Sequence, residues 1–253
     1  MPLPTLLILG GTSEARGLAD GLVAAGRPVI SSLAGRVADP ALPAGEVRIG
    51  GFGGQGGLTD FLREHAIAAV VDATHPFAAT MSASAIAACT ATSTPLVRLA
   101  RPGWAAHPDA DTWTWVDSPT AAAAAAADRG SRIFLTSGRT TLPAFFSLAD
   151  RFVLVRLVEA ANPGLPAGWE VIRDRGPYTV ENERLLMATH RIDLLVTKDS
   201  GGAMTAPKLA AAAELGAAVV VIRRPVVPGP ADVPEVDSVE QAMRWCLEHA
   251  GAE

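Results

Sequence analysis

Residues 5–19 read TLLILGGTSEARGLA. Thr5–Leu9 reads as one continuous apolar run, and it stops at the glycine pair Gly10-Gly11. From Ser13 the pattern changes: Leu18 and Leu22 fall on one helical face, and Gly26 ends it. An apolar run without alternation is a strand buried on both faces, which is how strands of a parallel sheet read. Strand, glycine turn and helix together are the opening of a β-α-β unit.

The same alternation repeats along the chain. Strands are predicted at residues 28–32, 46–49, 68–72 and 95–99, with helices at 13–25, 58–65 and 78–88. A polar stretch at 101–111, carrying Pro102, Gly103 and Pro108, interrupts the rhythm. A strand at 113–116 and a helix over the seven alanines 121–127 follow, since alanine is the best helix former. Further strands are predicted at 132–135, 152–157, 193–197 and 218–222. Helices fall at 142–147, 180–189, 205–215 and 239–249, and residues 161–168 form a Pro/Gly loop. The fold class is therefore α/β: two Rossmann-like domains, each a mostly parallel sheet flanked by helices. The expected division is an N-terminal NADP-binding domain at 1–115 and a C-terminal substrate domain at 116–253. A ligand is expected in the crevice between them, at the carboxyl ends of the strands.

Composition narrows the function. The 253 residues suffice for one large domain or two smaller ones, and 19% charged residues is below the roughly 25% of an average soluble protein. Aromatics are 5%, with one tyrosine, which argues against a single-stranded nucleic-acid platform. The net charge of -5 gives no overall field for polyanions, so an anionic ligand needs a local cluster of bases and backbone amides. Cys89 and Cys246 are far apart and form no metal or redox motif; they read as reduced structural thiols, and no metal is expected. No apolar run reaches the roughly 18 residues of a membrane span, and MPLPTLLILGG reads as a first strand and not as a leader. The expected setting is cytoplasmic, with no nucleic-acid or membrane partner.

Several motifs sit where strands end. Gly10 and Gly11 permit a tight turn and close approach of a ligand, and Thr12, Ser13 and Glu14 open a helix whose free amides attract a phosphate. The pattern departs from G-x-G-x-x-G, and a simple helix cap at Thr12 or Ser13 is the alternative. The second strand ends in Ser31-Ser32 and Arg36 follows, where an NAD site would carry an acidic residue. Hydroxyls and a guanidinium favour a 2′-phosphate, hence NADP; the alternative is that Arg36 is a solvated loop residue. GGFGGQGG at 50–57 holds six glycines in eight residues, as a cofactor-covering loop or a plain flexible turn. DATHPFA at 72–78 puts Thr74 and His75 at a strand end, where His75 could bind a carboxylate or relay a proton.

The second half carries TSGR at 136–139, RGPY at 175–178, KDSGG at 198–202 and RRP at 223–225. Arg139, Lys198 and Arg223 lie at or just past predicted strand ends. KDSGG forms an anion-binding turn, with Lys198 as a point charge and the amides of Ser200–Gly202 as donors. Several bases on one edge of an acidic protein point to a multiply charged anion. Glu181, Glu183 and Asp199 serve either to orient these bases or to do chemistry.

Taken in order, LGGTSEAR, the glycine loop, DATHPFA, RPGW at 101–104, TSGR, RGPY, TKDSGG and RRP resemble the precorrin-6A reductases along nearly the whole chain. That resemblance implies a monomer of two α/β domains with NADPH in the cleft. It implies reduction of one double bond of an anionic tetrapyrrole, precorrin-6A, to give precorrin-6B in cobalamin biosynthesis, with hand-over to neighbouring pathway enzymes. On this reading Gly10, Gly11, Thr12, Ser13 and Glu14 hold the pyrophosphate. Ser32 and Arg36 meet the 2′-phosphate, and Gly53, Gly54 and Thr74 line the nicotinamide side. His75, Arg139, Arg175, Lys198 and Arg224, with Ser200 and Gly201, hold substrate carboxylates. His75, Tyr178 and Asp199 are the candidate proton donors, with solvent an equal alternative.

Rival readings are the cobalt-containing version of the same step, another NADP-dependent reductase or epimerase, and a nucleotide-sensing module without turnover. A reductase with a Tyr-x-x-x-Lys pair is excluded, because the one tyrosine is Tyr178 and residue 182 is Asn.

Overall fold

A computed structural model describes residues 3–35, 42–158, 164–227 and 233–249. The chain forms two compact units, Met1–Pro102 with Pro225–Glu253, and Gly103–Arg224.

The first unit contains β1 (Thr5–Leu9), α1 (Ser13–Ala24), β2 (Val29–Leu33), β3 (Glu46–Ile49), α2 (Gln55–Glu64), β4 (Ile67–Asp72), α3 (Ala79–Thr92) and β5 (Leu96–Leu99). Its closing elements come from the far end of the chain: β12 (Glu235–Val236) and α7 (Val239–His249). All pairings are parallel, in the order β12-β5-β4-β1-β2-β3. Strand β1 is central, and its side chains feed two cores. Leu6 and Ile8 pack with α1 and α7, and Leu7 and Leu9 with α2 and α3. Burying each such side chain stabilises the fold by roughly 1.5–3 kcal/mol. That two-sided burial is why the run has no polar alternation.

The second unit contains β6 (Thr114–Val116), α4 (Pro119–Arg129), β7 (Arg132–Leu135), a 3₁₀ segment (Arg139–Leu148), β8 (Phe152–Leu157) and β9 (Trp169–Arg173). It continues with α5 (Val180–Thr189), β10 (Leu194–Lys198), α6 (Pro207–Leu215) and β11 (Ala218–Ile222). Its sheet is also parallel, in the order β6-β11-β10-β7-β8-β9. Among the described residues no helix is long and apolar enough to cross a membrane.

The division differs from the expected 1–115 and 116–253 at both ends. Residues 103–116 join the second unit, because β6 pairs with β11 and Trp104 and Trp113 enter that unit's core. Residues after 224 return to the first unit, because α7 buries Ala242 and Cys246 against α1 and β12 extends β5. Gly21 lets the two helices close: a Cβ there would lie 3.3 Å from the Met243 sulfur. Strands β9 and β12 are additions to the sequence reading. The first is a half-exposed edge strand and the second is two residues long, so neither shows a buried apolar run. Helix α2 starts at Gln55, within the stretch read as a glycine loop, and residues 139–148 are 3₁₀ around Pro143 where a short α-helix was expected.

Candidate active site

In the first unit the chain leaves β1 toward β2 on one side and returns to β4 on the other. The carboxyl end of β1 is thus the switch point of the sheet, where open α/β folds bind ligands. The turn there is built by side chains and glycines together. Thr12 is the N-cap of α1: its Oγ1 accepts from the Ala15 amide (3.1 Å) and donates to the Ala73 carbonyl (2.9 Å), tying the turn to the end of β4. The Gly10 amide donates to the Ser32 carbonyl, and a Cβ at Gly10 would press on Leu33 at 3.3 Å. Gly11 has φ +116, and nothing lies within 4 Å of where its Cβ would be. Its backbone is open to an approaching group, and only glycine holds that conformation cheaply.

Two arginines, each paired with carboxylates, flank the turn. Arg101 grips Glu14 with one nitrogen on both carboxylate oxygens (3.0 and 2.9 Å). Burial alone would raise the Glu14 carboxyl, but its own backbone amide, Arg101 and Ser13 outweigh this and hold it below its ordinary 4.5. Deeper in, Asp72 is 4% exposed and accepts from both the amide and the hydroxyl of Thr74 (3.1 and 2.7 Å). Arg98 lies between Asp72 (3.7 Å) and Glu235 (3.0 Å). Thr12, Glu14, Thr74, His75, Arg98 and Arg101 line one cavity, with Asp72 at its wall. His75 Nδ1 accepts from the Phe77 amide (3.2 Å), which places the proton of the neutral ring on Nε2.

The glycine loop after β3 is held from below. The Arg48 guanidinium donates to the carbonyls of Gly50 (2.5 Å) and Gly51 (2.8 Å) and lies over the Phe52 ring. Gly53 and Gly54 have φ of +81 and +90 with no neighbour at their Cβ positions. Ser32 lies buried in β2, one residue before its end, beside Ser31, whose buried hydroxyl has no hydrogen-bond partner. Arg36 lies outside the described residues.

In the second unit the carboxyl ends of β7 and β10 are neighbours, and they bring TSGR against KDSGG. Lys198 Nζ is 3.6 Å from the Cβ position of Gly138, while Arg139 is exposed at the start of the 3₁₀ segment. The Ser200 amide donates to the Lys198 carbonyl (2.6 Å), so it is engaged inside the turn where it was expected to face an anion. Asp199 is 6% exposed. Its Oδ1 accepts from the Trp104 amide (2.8 Å), and Oδ2 lies 3.5 Å from Arg224 Nε, which also donates to the Asp199 carbonyl (3.1 Å). The carboxylate thus orients RPGW and Arg224. Gly103 is required for this, since a Cβ there would stand 2.6 Å from Oδ2. Arg223 pairs instead with Asp117 (3.2 Å), against Trp115.

RGPY follows β9. The Tyr178 hydroxyl donates to the Asp174 carbonyl (3.2 Å). Burial raises its phenol; Arg156 lowers it and Asp174 and Glu183 raise it, for a net rise. Arg175 is exposed.

The structure therefore gathers Gly10–Glu14, Thr74 and His75 at one edge, and Arg139, Lys198–Gly201 and Arg224 at another. Sequence reasoning assigned no role to Asp72, Arg98, Arg101 or Arg156. Arg98 and Arg156 carried a visible signal, a charge inside an otherwise apolar strand.

A model of the family described as precorrin-6x reductase CbiJ/CobK matches residues 5–247. A precorrin-6A reductase of Mycobacterium tuberculosis is 49% identical over 245 residues, covering 95% of this chain and 96% of that protein. One from Rhodococcus erythropolis is 46% identical over 241 residues, covering 95% and 96%. The solved structure of CobK precorrin-6A reductase superposes with a TM-score of 0.90 at 39% identity, covering 98% of this chain and 97% of that one. Full-length likeness in both sequence and backbone, on two parallel sheets whose carboxyl edges carry the motifs described above, makes this chain a member of the precorrin-6x reductase family.

Proposed function

We propose that this chain reduces precorrin-6A to precorrin-6B with NADPH, a step toward cobalamin. The observation that carries this reading is the near-full-length likeness to precorrin-6A reductases. The residues present fit the cofactor. The backbone of Gly11 is open on the side a pyrophosphate would approach, and the Glu14 carboxylate at the helix start is already neutralised by Arg101. The unpartnered Ser31 hydroxyl lies in β2, two residues before the strand's carboxyl end, the ribose side of such a site.

NADPH, when bound, supplies the hydride; the protein supplies position and electrostatics. The Gly10–Glu14 turn holds the pyrophosphate through the amides of Gly11, Thr12 and Ser13, Ser32 and Arg36 hold the 2′-phosphate, and Gly53, Gly54 and Thr74 line the nicotinamide side. Arg139, Arg175, Lys198 and Arg224 grip carboxylates of the macrocycle, helped by the Ser200–Gly201 turn and His75. Of the three candidate proton donors, His75 is favoured. It lines the cavity beside the carboxyl end of β1, with Nδ1 accepting from the Phe77 amide and Nε2 the protonated nitrogen of its neutral ring.

Anaerobic incubation of the purified protein with NADPH and either cobalt-free or cobalt-loaded precorrin-6A tests the reading. Loss of nicotinamide absorbance with the cobalt-free form is expected. Loss with the cobalt form alone would move the enzyme to the anaerobic route, and loss with neither would sink the assignment. Arg36→Ala is expected to raise the Michaelis constant for NADPH far more than for NADH; an equal effect removes the 2′-phosphate role.

A further inference from the structure

Near the carboxyl end of β8, Arg156 and Glu183 form an ion pair of 2.6 Å between side chains that are 5% and 2% exposed. Arg156 Nε and Glu183 Oε2 have no hydrogen-bond partner. Taking two charges out of water costs more than such a contact usually returns, so stability is a weak reason for the pair. Its geometry supplies another. The Arg156 guanidinium carbon lies 4.1 Å from the ring centroid of Tyr178 and 4.8 Å from that of Phe134, a cation–π arrangement in a desolvated place. The Tyr178 ring also rests on Gly176, where a Cβ would stand 3.1 Å from Cε2, and its hydroxyl reaches the Asp174 carbonyl. The next residue, Thr179, caps α5, and the first turn of α5 carries Glu183. Strand, ring, loop backbone and helix start therefore close a circuit around residues 174–178.

We propose that Arg156 is a positioning residue: with Glu183 it fixes the Tyr178 ring, and through that ring the loop on which Arg175 meets a carboxylate of the anionic macrocycle. This rests on the reading of RGPY as a substrate contact. Tyr178 then acts as a strut within the loop, and its hydroxyl stays protonated there.

The test uses the full chain and the variants Arg156→Met, Arg156→Lys, Glu183→Gln, Tyr178→Leu and Arg175→Ala. Tyr178 is the single tyrosine, so its ionisation is readable by ultraviolet titration without interference from another phenol. Arg156→Met is expected to raise the phenol's apparent pKa and Glu183→Gln to lower it, since Arg156 and Glu183 act on it with opposite sign and Asp174 is unchanged. Arg156→Met and Tyr178→Leu are each expected to raise the Michaelis constant for precorrin-6A about tenfold. The turnover number and the constant for NADPH should stay near wild type, with partial recovery in Arg156→Lys. Tyr178→Leu leaves the ion pair intact, so it decides the matter even if Arg156→Met does not fold. If Arg175→Ala raises the constant for precorrin-6A but Tyr178→Leu and any folded Arg156 variant leave it unchanged, the positioning role is overturned. If Arg175→Ala itself has no effect, or the wild type does not turn over, the underlying reading has failed instead.

Discussion

Asp199 shows how one carboxylate can order several groups. It accepts from the buried Trp104 amide and holds Arg224. Asp199→Ala would strand both partners, so a loss of about 2–3 kcal/mol in a denaturant titration is expected, with Asp199→Asn recovering part. Glu14 gives a pH-dependent case. Its folded-state pKa is depressed, so its contribution is complete well above 4.5 and disappears as pH falls through the lower folded value. Wild type should therefore be more stable than Glu14→Gln at neutral pH, and the gap should close well below 4.5. A gap that widens in acid would contradict the Arg101 pairing. DATHPFA marks the end of β4, but the arginines that pair with Asp72 and Glu14 come from 26 and 87 residues away. No local pattern encodes such contacts.

At the scale of elements, α4 is a run of alanines started by Ser118, whose side chain accepts from the Ala121 amide, and by Pro119. Ser118→Ala should cost about 1 kcal/mol, measured by thermal or denaturant unfolding. Helices α3 and α7 bury the two thiols. Burial pushes Cys89 and Cys246 up to about 12, with Asp72 adding to the rise at Cys89 and Arg27 opposing it at Cys246. Neither should react with a thiol reagent at mildly alkaline pH in the native protein, and both should react once it is unfolded. Helix α2 shows the limit of local reading. Gly56 and Gly57 looked like loop, yet they form its first turn, and a Cβ at Gly57 would collide with the Phe52 carbonyl. Gly57 answers a close approach that composition alone does not reveal.

At the scale of the whole molecule, the chain returns to its first unit after completing the second. Ending it at Arg224 removes α7, uncovering the core that Ala242 and Cys246 complete against α1. Calorimetry of such a truncation should show the first unit's transition lost or sharply lowered while the second unit's persists. Equal loss of both transitions would mean that the units do not fold separately. Nothing in the 239–249 pattern named its partner: an amphipathic helix states that one face must be covered, not by what.

The sequence by itself determined the class of fold, most of its strands and helices, the strand-end motifs and the family they resemble. These are local properties, set by which side chains a strand must bury on two faces and by where glycine lets the chain turn. Tertiary structure alone decided the unit boundaries, the edge strands β9 and β12, and the pairing of Arg101 with Glu14, Arg98 with Asp72, Arg224 with Asp199 and Arg156 with Glu183. A charged residue in a sequence shows only that it needs water or a partner. Which partner it finds depends on the order in which parallel strands lie side by side, and that order is fixed by how helices pack across the whole sheet.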